Sequence, residues 1–268
     1  ILVYSTVRFF LYSCMSKLPK EHQFTDLSDY GRPVAKFIAN SLENTSFTPI
    51  HVTIAFIISG LMAIYYIIMG YYWLAAFFLI FKSILDAADG ELARVKQKPS
   101  YTGRYLDSVA DIILNALFLS AIWYITNISI WICFLAFFGL QLQGTLYNYY
   151  YVILRNRFDG DTTSRVFEDK TPEALAGEKQ QHVNILFGLY KLLYGVFDKV
   201  IYTLDSNADK GTILPNWFMT SVSTFGLGFQ LLLIAILLVL GLKAIILPFF
   251  LLYTIMIFVF VGSRKFFY

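Results

Sequence analysis

Four aspartates stand close together in the chain, beside or inside some of its most apolar sequence. They are Asp86, Asp89, Asp107 and Asp111. A carboxylate held near hydrocarbon is costly, so several together indicate a functional site that binds a cation. Carboxylate oxygens suit Mg²⁺ or Mn²⁺, with Ca²⁺ as another candidate occupant. Zinc is not expected, because no cysteine or histidine lies at ligand spacing, and two divalent ions would neutralise the four charges.

The spacing of these aspartates divides them into two pairs. Residues three or four positions apart share a face of an α-helix, so Asp86 pairs with Asp89 and Asp107 pairs with Asp111. Two helices that face each other would bring the four carboxylates together. Divalent ions held in this way stabilise charge on phosphoryl oxygens, so the predicted chemistry is on a phosphate group. Small residues beside the aspartates would also let a nucleotide approach the backbone.

The composition indicates an all-α integral membrane protein. Of the 268 residues, 57% are hydrophobic and 15% are charged, and the mean hydropathy is +0.61. A soluble domain is only about 45 to 50% apolar. A helix needs about 20 apolar residues to cross a bilayer. On this basis we predict six transmembrane helices, at about 49–70, 72–95, 103–125, 128–155, 216–239 and 244–261.

Two further segments are predicted to lie on the membrane surface. Residues 26–44 carry apolar side chains at three- and four-residue steps with charges between them, which is typical of an amphipathic surface helix before the first span. A second surface helix is predicted at 185–204. The polar stretch 157–184 has the composition of a flexible cytosolic loop, so loop and helix together occupy about 157–210.

These segments divide the chain into two parts. Residues 26–265 form the predicted membrane domain, and residues 1–25 form an N-terminal segment. Met15 opens a sequence that is typical of a cytosolic start, so part of the N-terminal segment is a candidate for non-native sequence.

Lysines and arginines lie almost entirely on one side of the predicted spans. They precede the first span, surround the link between the second and third, fill the region between the fourth and fifth, and follow the sixth. The opposite links contribute only Lys243. By the positive-inside rule, both termini and the aspartate site are predicted to face the cytosol.

The aspartate stretch follows the pattern D-x2-D-G-x2-A-R-x8-G-x3-D-x3-D. Its fixed positions are Asp86, Asp89, Gly90, Ala93, Arg94, Gly103, Asp107 and Asp111. The pattern resembles the signature of the CDP-alcohol phosphotransferases, also called CDP-alcohol phosphatidyltransferases. Thr48, Pro49 and Thr53 are similar to the T-P-N-x-x-T sequence with which that family enters its first span, with Ile50 in place of the common Asn.

The resemblance implies a role for each motif residue. The implied metal ligands are Asp86, Asp89, Asp107 and Asp111. Asp111 would also act as general base on the acceptor hydroxyl. The implied contacts to the CDP moiety are Gly90, Ala93, Arg94 and Gly103. The implied activity is transfer of a substituted phosphate group from a CDP-linked donor to an alcohol, with release of CMP, in phospholipid synthesis, and a homodimer is implied as well.

The motif would recognise the CDP moiety and the metal, which two substrate classes share. We favour CDP-diacylglycerol as donor with a polar alcohol as acceptor, because six spans and a modest length favour that class. The alternative is a donor of the CDP-choline or CDP-ethanolamine type with a lipid hydroxyl as acceptor. A hypothesis of a different class is a cation transporter that uses the intramembrane aspartates. Membrane lipids are predicted partners, and nucleic acid is not.

Three cations are candidates for contacts to the acceptor or to a phosphate. They are Lys82, Arg155 and Arg157. Lys82 lies one helical turn before Asp86, so it can pair with that carboxylate or extend to the membrane interface. The two arginines stand at the cytosolic end of the fourth span, where binding to anionic headgroups is the favoured alternative.

The fourth span also carries uncharged polar side chains. Gln141, Gln143 and Asn148 can line an acceptor pocket or form hydrogen bonds between helices. The tyrosines at 147, 149, 150 and 151 are predicted to anchor the span at the membrane interface.

Overall fold

The computed structural model describes residues 18–158, 168 and 170–267. These residues form helices and connecting loops without a β-strand, which confirms the all-α prediction. The α-helices are α1 (Arg32–Leu42), α2 (Pro49–Met69), α3 (Tyr72–Val95), α4 (Tyr101–Thr126), α5 (Ile130–Arg157), α6 (Gln180–Leu204), α7 (Asn216–Val222), α8 (Leu227–Val239), α9 (Lys243–Tyr253) and α10 (Met256–Phe267).

Several of these helices have the length and apolar composition of membrane-spanning helices, which indicates a multi-pass membrane protein. The described residues contain four stretches that are long and apolar enough to cross a membrane, namely α2, α4, α5 and the region from Lys243 to Phe267. A fifth candidate combines α7 and α8, which are bent by 55° at the break between them. The predicted second span coincides with α3, whose charged residues keep it from being recognised as a span by composition. Six crossings therefore remain a prediction.

The helices that carry the aspartates begin and end at residues suited to those positions. Pro49 opens α2, where a missing N–H costs nothing, and Gly70 closes it with a φ of 80°. Ser100 caps α4 by accepting a hydrogen bond of 2.8 Å from the Gly103 N–H. Asn127, with a φ of 54°, ends the same helix. Local sequence thus fixes the limits of the helices that position the motif.

Helix α3 lies at the centre of the packing. It packs against α1, α2 and α8, whereas α4 packs mainly against α2 and α6. The turn Leu27–Asp29 before α1 lies close to α8, because a Cβ built on Gly228 would lie 1.9 Å from the Ser28 carbonyl oxygen. The two motif helices share α2 as a neighbour, and a cleft lies between them.

The N-terminal amphipathic segment is shorter than predicted. Within 26–44 the structure has a 3₁₀ turn and then α1, which buries Ala35 and Ala39 and leaves Val34 and Phe37 exposed. Its location on the membrane surface stays a prediction. The predicted surface helix at 185–204 corresponds to α6, which begins at Gln180. The predicted start at Met15 lies outside the described residues.

The prediction that the tyrosine run is an interface anchor is wrong. Tyr149 and Tyr150 are buried, and their hydroxyls donate to the backbone oxygen and to the carboxylate of Asp205, at 2.8 and 2.7 Å. The Tyr147 hydroxyl donates to Asp26. A tyrosine hydroxyl that finds a protein partner is satisfied without reaching the headgroups.

Candidate active site

Three of the four motif aspartates come together at the cleft. Asp86 and Asp89 from α3 and Asp107 from α4 each offer a carboxylate oxygen, and these oxygens all lie within 4.8 Å of one another. The helix faces predicted from the spacing do meet. This group, Asp86, Asp89 and Asp107, is called the aspartate triad below.

A threonine from α2 supports the triad. The Thr53 hydroxyl donates to the Asp89 carboxylate at 2.7 Å, and Thr53 is only 1% exposed. Thr53 is one of the residues on which the family resemblance depends, and the structure gives it a contact to the candidate site. Partners of this kind orient the groups that bind metal.

Asp111 is held differently, by Lys82. The Lys82 ammonium donates to Asp86 at 2.7 Å and also to Asp111. Lys82 is 1% exposed, and its Nζ lies 4.6 Å from the centre of the Phe56 ring. The predicted pairing with Asp86 is confirmed, and the alternative in which Lys82 extends to the interface is wrong.

The triad is chemically suited to a divalent cation. One oxygen of Asp107, Oδ1, is buried and has no hydrogen-bond partner, which is costly unless a ligand occupies it. The three donors are carboxylates, as Mg²⁺ and Mn²⁺ prefer. A Cβ built on Gly90 would meet only the Arg94 guanidinium, at 3.6 and 3.7 Å, so space remains beside the triad. These residues fit a bound metal.

All eight fixed residues of the motif line one cavity of about 900 Å³. Some of the other lining residues belong to elements far away in the sequence. They include Asp26, Ser28, Asp29 and Arg32 near the N-terminus, Asn148, Tyr151 and Arg155 on α5, and Tyr190, Tyr194 and Asp198 on α6. A cavity of several hundred Å³ is typical of a small-molecule site. The volume is sufficient for a nucleotide and the group to which it is linked.

Two arginines that line this cavity form ion pairs with carboxylates. Arg94 contacts Glu91 at 3.0 Å, and Arg32 binds both Glu91 and Asp29. Glu91 is only 8% exposed. Sequence analysis missed Arg32 and Glu91, although Glu91 lies three residues before Arg94 and that spacing permits a pair on one helix face. The pair with Glu91 fixes two guanidinium groups at the cavity wall.

Helix α6 contributes titratable side chains that sequence analysis also missed. Tyr190, Tyr194 and Asp198 recur at intervals of four residues, so they share one face, and all three line the cavity. Burial, together with the negative charge of Glu168, raises the pKa of Asp198 to about 6. Near neutral pH this carboxylate is therefore close to its titration range.

The other polar candidates on α5 have separate locations. Arg155 lines the cavity and is 6% exposed, whereas Arg157 donates at 2.8 Å to the backbone oxygens of Asp209 and Gly211. Gln143 bonds to Phe250 and Gln230 and so connects helices. Gln141 and Asn148 line the cavity. Of the predicted acceptor contacts, Arg155 is in the cavity wall and Arg157 is not.

The polar segment before α6 binds the first turn of α4. Glu178 accepts hydrogen bonds from the backbone N–H groups of Tyr101 and Thr102 at 3.2 and 2.7 Å, and from the Ser100 hydroxyl at 2.7 Å. Glu168 pairs with Arg104 one turn later. An anion at a helix N-terminus satisfies free N–H groups and interacts favourably with the helix dipole. Glu178 thus stabilises the helix that carries Gly103 and Asp107.

Replacing Glu178 by Ala is expected to loosen the start of α4. Loss of this cap would cost about 1–2 kcal/mol, so amide hydrogen exchange at Tyr101, Thr102 and Gly103 should accelerate roughly tenfold. Exchange measured by mass spectrometry on the protein in detergent checks this. The exposed Glu173, changed to Ala, is the matched control and should leave exchange unchanged. Equal protection in both variants would refute the capping role.

The same cap makes the start of α4 sensitive to acid. Burial acts to raise the pKa of Glu178, but hydrogen bonds from Thr102, Ser100 and Leu175 outweigh it and hold the pKa below its ordinary value. Its stabilisation is therefore complete above the unfolded value of about 4.3 and is lost as the pH falls through the lower folded value. Only below about pH 4 should wild-type exchange approach that of Glu178→Ala.

Fold and site together define a helical, multi-pass membrane protein with a carboxylate-rich cavity suited to a metal and a phosphate-containing ligand. A family model described as CDP-alcohol phosphatidyltransferase matches residues 47–168, slightly less than half of the chain. This match confirms the resemblance seen in the motif, and it shows that residues 47–168 are similar to that family. No curated protein matches the sequence. The family transfers a phosphate-linked group from a CDP-alcohol to an alcohol.

Proposed function

We propose that this protein transfers the phosphatidyl group of CDP-diacylglycerol to a polar alcohol, with release of CMP, in a reaction that depends on Mg²⁺ or Mn²⁺. The observation that carries the proposal is the convergence of the aspartate triad inside a cavity lined by the whole family motif. The presence of the motif in the sequence does not by itself require its fixed residues to line one cavity. The family match supports the reaction type.

Different motif residues are proposed to bind the metal and the nucleotide. Asp86, Asp89 and Asp107 would hold the cation, which supplies charge stabilisation on the phosphate oxygens when bound. Arg94 offers a charge-assisted hydrogen bond to phosphate. Gly90, Ala93 and Gly103 leave room for the CDP moiety.

Asp111 is proposed as the general base. One of its oxygens accepts from Lys82, and a carboxylate has a second oxygen that can receive the proton of the acceptor hydroxyl. The acceptor oxygen then forms a bond to the phosphorus distal to cytidine, while the bond from that phosphorus to the bridging oxygen breaks and CMP leaves. A carboxylate is a weak base for an alcohol, so close positioning of the hydroxyl carries much of the rate.

Polar side chains outside the motif support a polar acceptor. The lining of the cavity includes Asp26, Arg32, Asn148 and Arg155. Hydroxyls or a phosphate on a small alcohol would find donors and acceptors there. Both substrate classes bring one lipid group and one polar group to the cavity, so the preference for CDP-diacylglycerol as donor rests on the six predicted spans.

The membrane arrangement proposed for this function has six crossings in one domain, 26–265, with α3 as the second. Lys82, Asp89 and Glu91 on α3 are buried inside the protein rather than exposed on its surface. Charged residues in a spanning helix are tolerated when they face the interior or a wet cavity. We further propose a cytosolic cavity and cytosolic termini, from the distribution of lysine and arginine, with α1 on the membrane surface. A homodimer stays a prediction from the family resemblance.

Release of CMP by the purified protein tests the proposal. Donors of both classes are combined with polar alcohols, their phosphates and diacylglycerol, with Mg²⁺, Mn²⁺ or excess chelator. We expect CMP and a new phosphodiester lipid only with CDP-diacylglycerol, a polar acceptor and metal. Product with CDP-choline and diacylglycerol would reverse the substrate assignment. Metal flux into liposomes without CMP release would support the transporter hypothesis instead.

A further inference from the structure

Lys82 joins two motif aspartates that sequence analysis assigned to metal binding. Its ammonium donates to Asp86 and to Asp111, while Asp86, Asp89 and Asp107 form the triad without Asp111. The cleft therefore contains two cation positions. The triad is one of them, and the space between Asp86 and Asp111 is the other, which the Lys82 ammonium occupies.

The surroundings of Lys82 hold its charge in this position. Its side chain is 1% exposed, and the Nζ lies against the Phe56 ring. Withdrawal from the two carboxylates would leave a buried ammonium among apolar groups, which is far more costly than breaking an exposed ion pair. A second divalent cation between Asp86 and Asp111 would have to displace this resident charge.

We infer that Lys82 takes the place of a second divalent ion, so that the protein binds a single divalent cation at the aspartate triad. This inference rests on the proposed function, which supplies the reason for a metal. Sequence analysis predicted two divalent ions because four carboxylates carry four negative charges. That prediction did not include the positive charge of Lys82. Lys82 is then a positioning residue that orients Asp111 and neutralises part of the site without metal.

Counting bound Mn²⁺ tests the inference independently of turnover. Free Mn²⁺ gives a strong electron paramagnetic resonance signal that is lost on binding, so titration of the purified protein in detergent yields the number of ions per chain. We expect one Mn²⁺ per chain in the wild type and in Lys82→Arg, which keeps the charge. Lys82→Met should bind two, because it opens the space between Asp86 and Asp111.

Two aspartate variants keep the test decisive if Lys82→Met does not fold. Asp111→Asn should still bind one Mn²⁺, with affinity within about threefold of wild type, since Asp111 lies outside the triad. Asp89→Asn should weaken binding by more than about 100-fold, beyond the usual cost of losing an outer partner. Two ions in the wild type, or loss of an ion in Asp111→Asn, would overturn the inference.

The outcomes for the inference and for the proposed function are separable. Two Mn²⁺ per chain together with CMP release would remove the role of Lys82 and leave the enzyme assignment intact. One Mn²⁺ per chain without CMP release from any donor would keep the role of Lys82 and remove the enzyme assignment. Absence of Mn²⁺ binding in the folded wild type would overturn both.

Discussion

Replacement of Asp107 by Asn is expected to lower the rate of CMP release by more than about 100-fold. Loss of a residue that only supports a metal ligand costs up to about 100-fold, and loss of a ligand should cost more. Asp107 supplies one of the three triad oxygens, and its Oδ1 is buried without a hydrogen-bond partner. An amide at this position removes one negative charge from the cation site, while its shape is preserved. Both kcat and the affinity for Mn²⁺ should therefore fall.

A chemically matched control separates this effect from a general effect of the substitution. Asp209 is exposed and does not line the cavity, so Asp209→Asn removes the same charge away from the site. We expect wild-type kinetics and wild-type Mn²⁺ affinity from that variant. Turnover of Asp107→Asn within a few-fold of wild type would show that Asp107 does not hold the catalytic metal.

Thr53 allows a graded version of the same experiment. Its hydroxyl donates to Asp89, so Thr53→Val should weaken Mn²⁺ binding by about 10- to 100-fold while the triad itself stays complete. Thr53→Ser keeps the hydroxyl and should recover most of the affinity. If Val and Ser behave alike, the hydrogen bond to Asp89 has no influence on the metal.

The sequence was sufficient to predict which aspartates share a helix face, because helical spacing is local. Asp86 and Asp89 share a face of any helix that contains them, and the apolar sequence around them makes a helix the only economical structure in a membrane. The limits of α2 and α4 were within a few residues of prediction, since Pro49, Gly70 and Ser100 act on their own neighbours. Local chemistry determines these features.

Contacts between distant parts of the chain could not be obtained in this way. The pairing of Lys82 with Asp111 depends on how α3 and α4 pack, and that of Arg32 with Glu91 on where α1 packs. Tyr147 was assigned to the membrane interface because a tyrosine near a helix end usually lies there. Its real partner, Asp26, lies 121 residues away in the chain, and no periodicity connects the two.

The break between α7 and α8 could not be predicted from hydropathy. A hydropathy window treats residues 216–239 as one continuous span, whereas the structure bends by 55° there. Gly226 stands at the bend in extended backbone, and the turn around Ser28 packs closely against it and against Gly228. The close approach needs small residues from one element and a turn from another, so it is a tertiary feature.

A second large effect is expected at the buried ion pair between α6 and α10. Arg264 donates to Asp205 at 2.7 Å through Nε, and the Asp205 side chain is 0% exposed. Tyr150 donates to the same carboxylate at 2.7 Å. Asp205 at the end of α6 is therefore held by α10 through Arg264 and by α5 through Tyr150. These contacts fix the position of α6, one face of which lines the cavity.

Arg264→Met should destabilise the protein by about 3–5 kcal/mol, because it leaves the buried carboxylate of Asp205 without its cation. The measurement is the midpoint of thermal unfolding in detergent, followed by loss of monodisperse protein. The matched control is Arg157→Met, since Arg157 is half-buried and, among the described residues, donates to backbone oxygens of Asp209 and Gly211. The double variant Asp205→Leu, Arg264→Met should regain much of the loss, because replacing both partners removes the uncompensated charge. Equal midpoints for Arg264→Met and Arg157→Met would mean that water reaches Asp205 and that the ion pair contributes little to the stability of the fold.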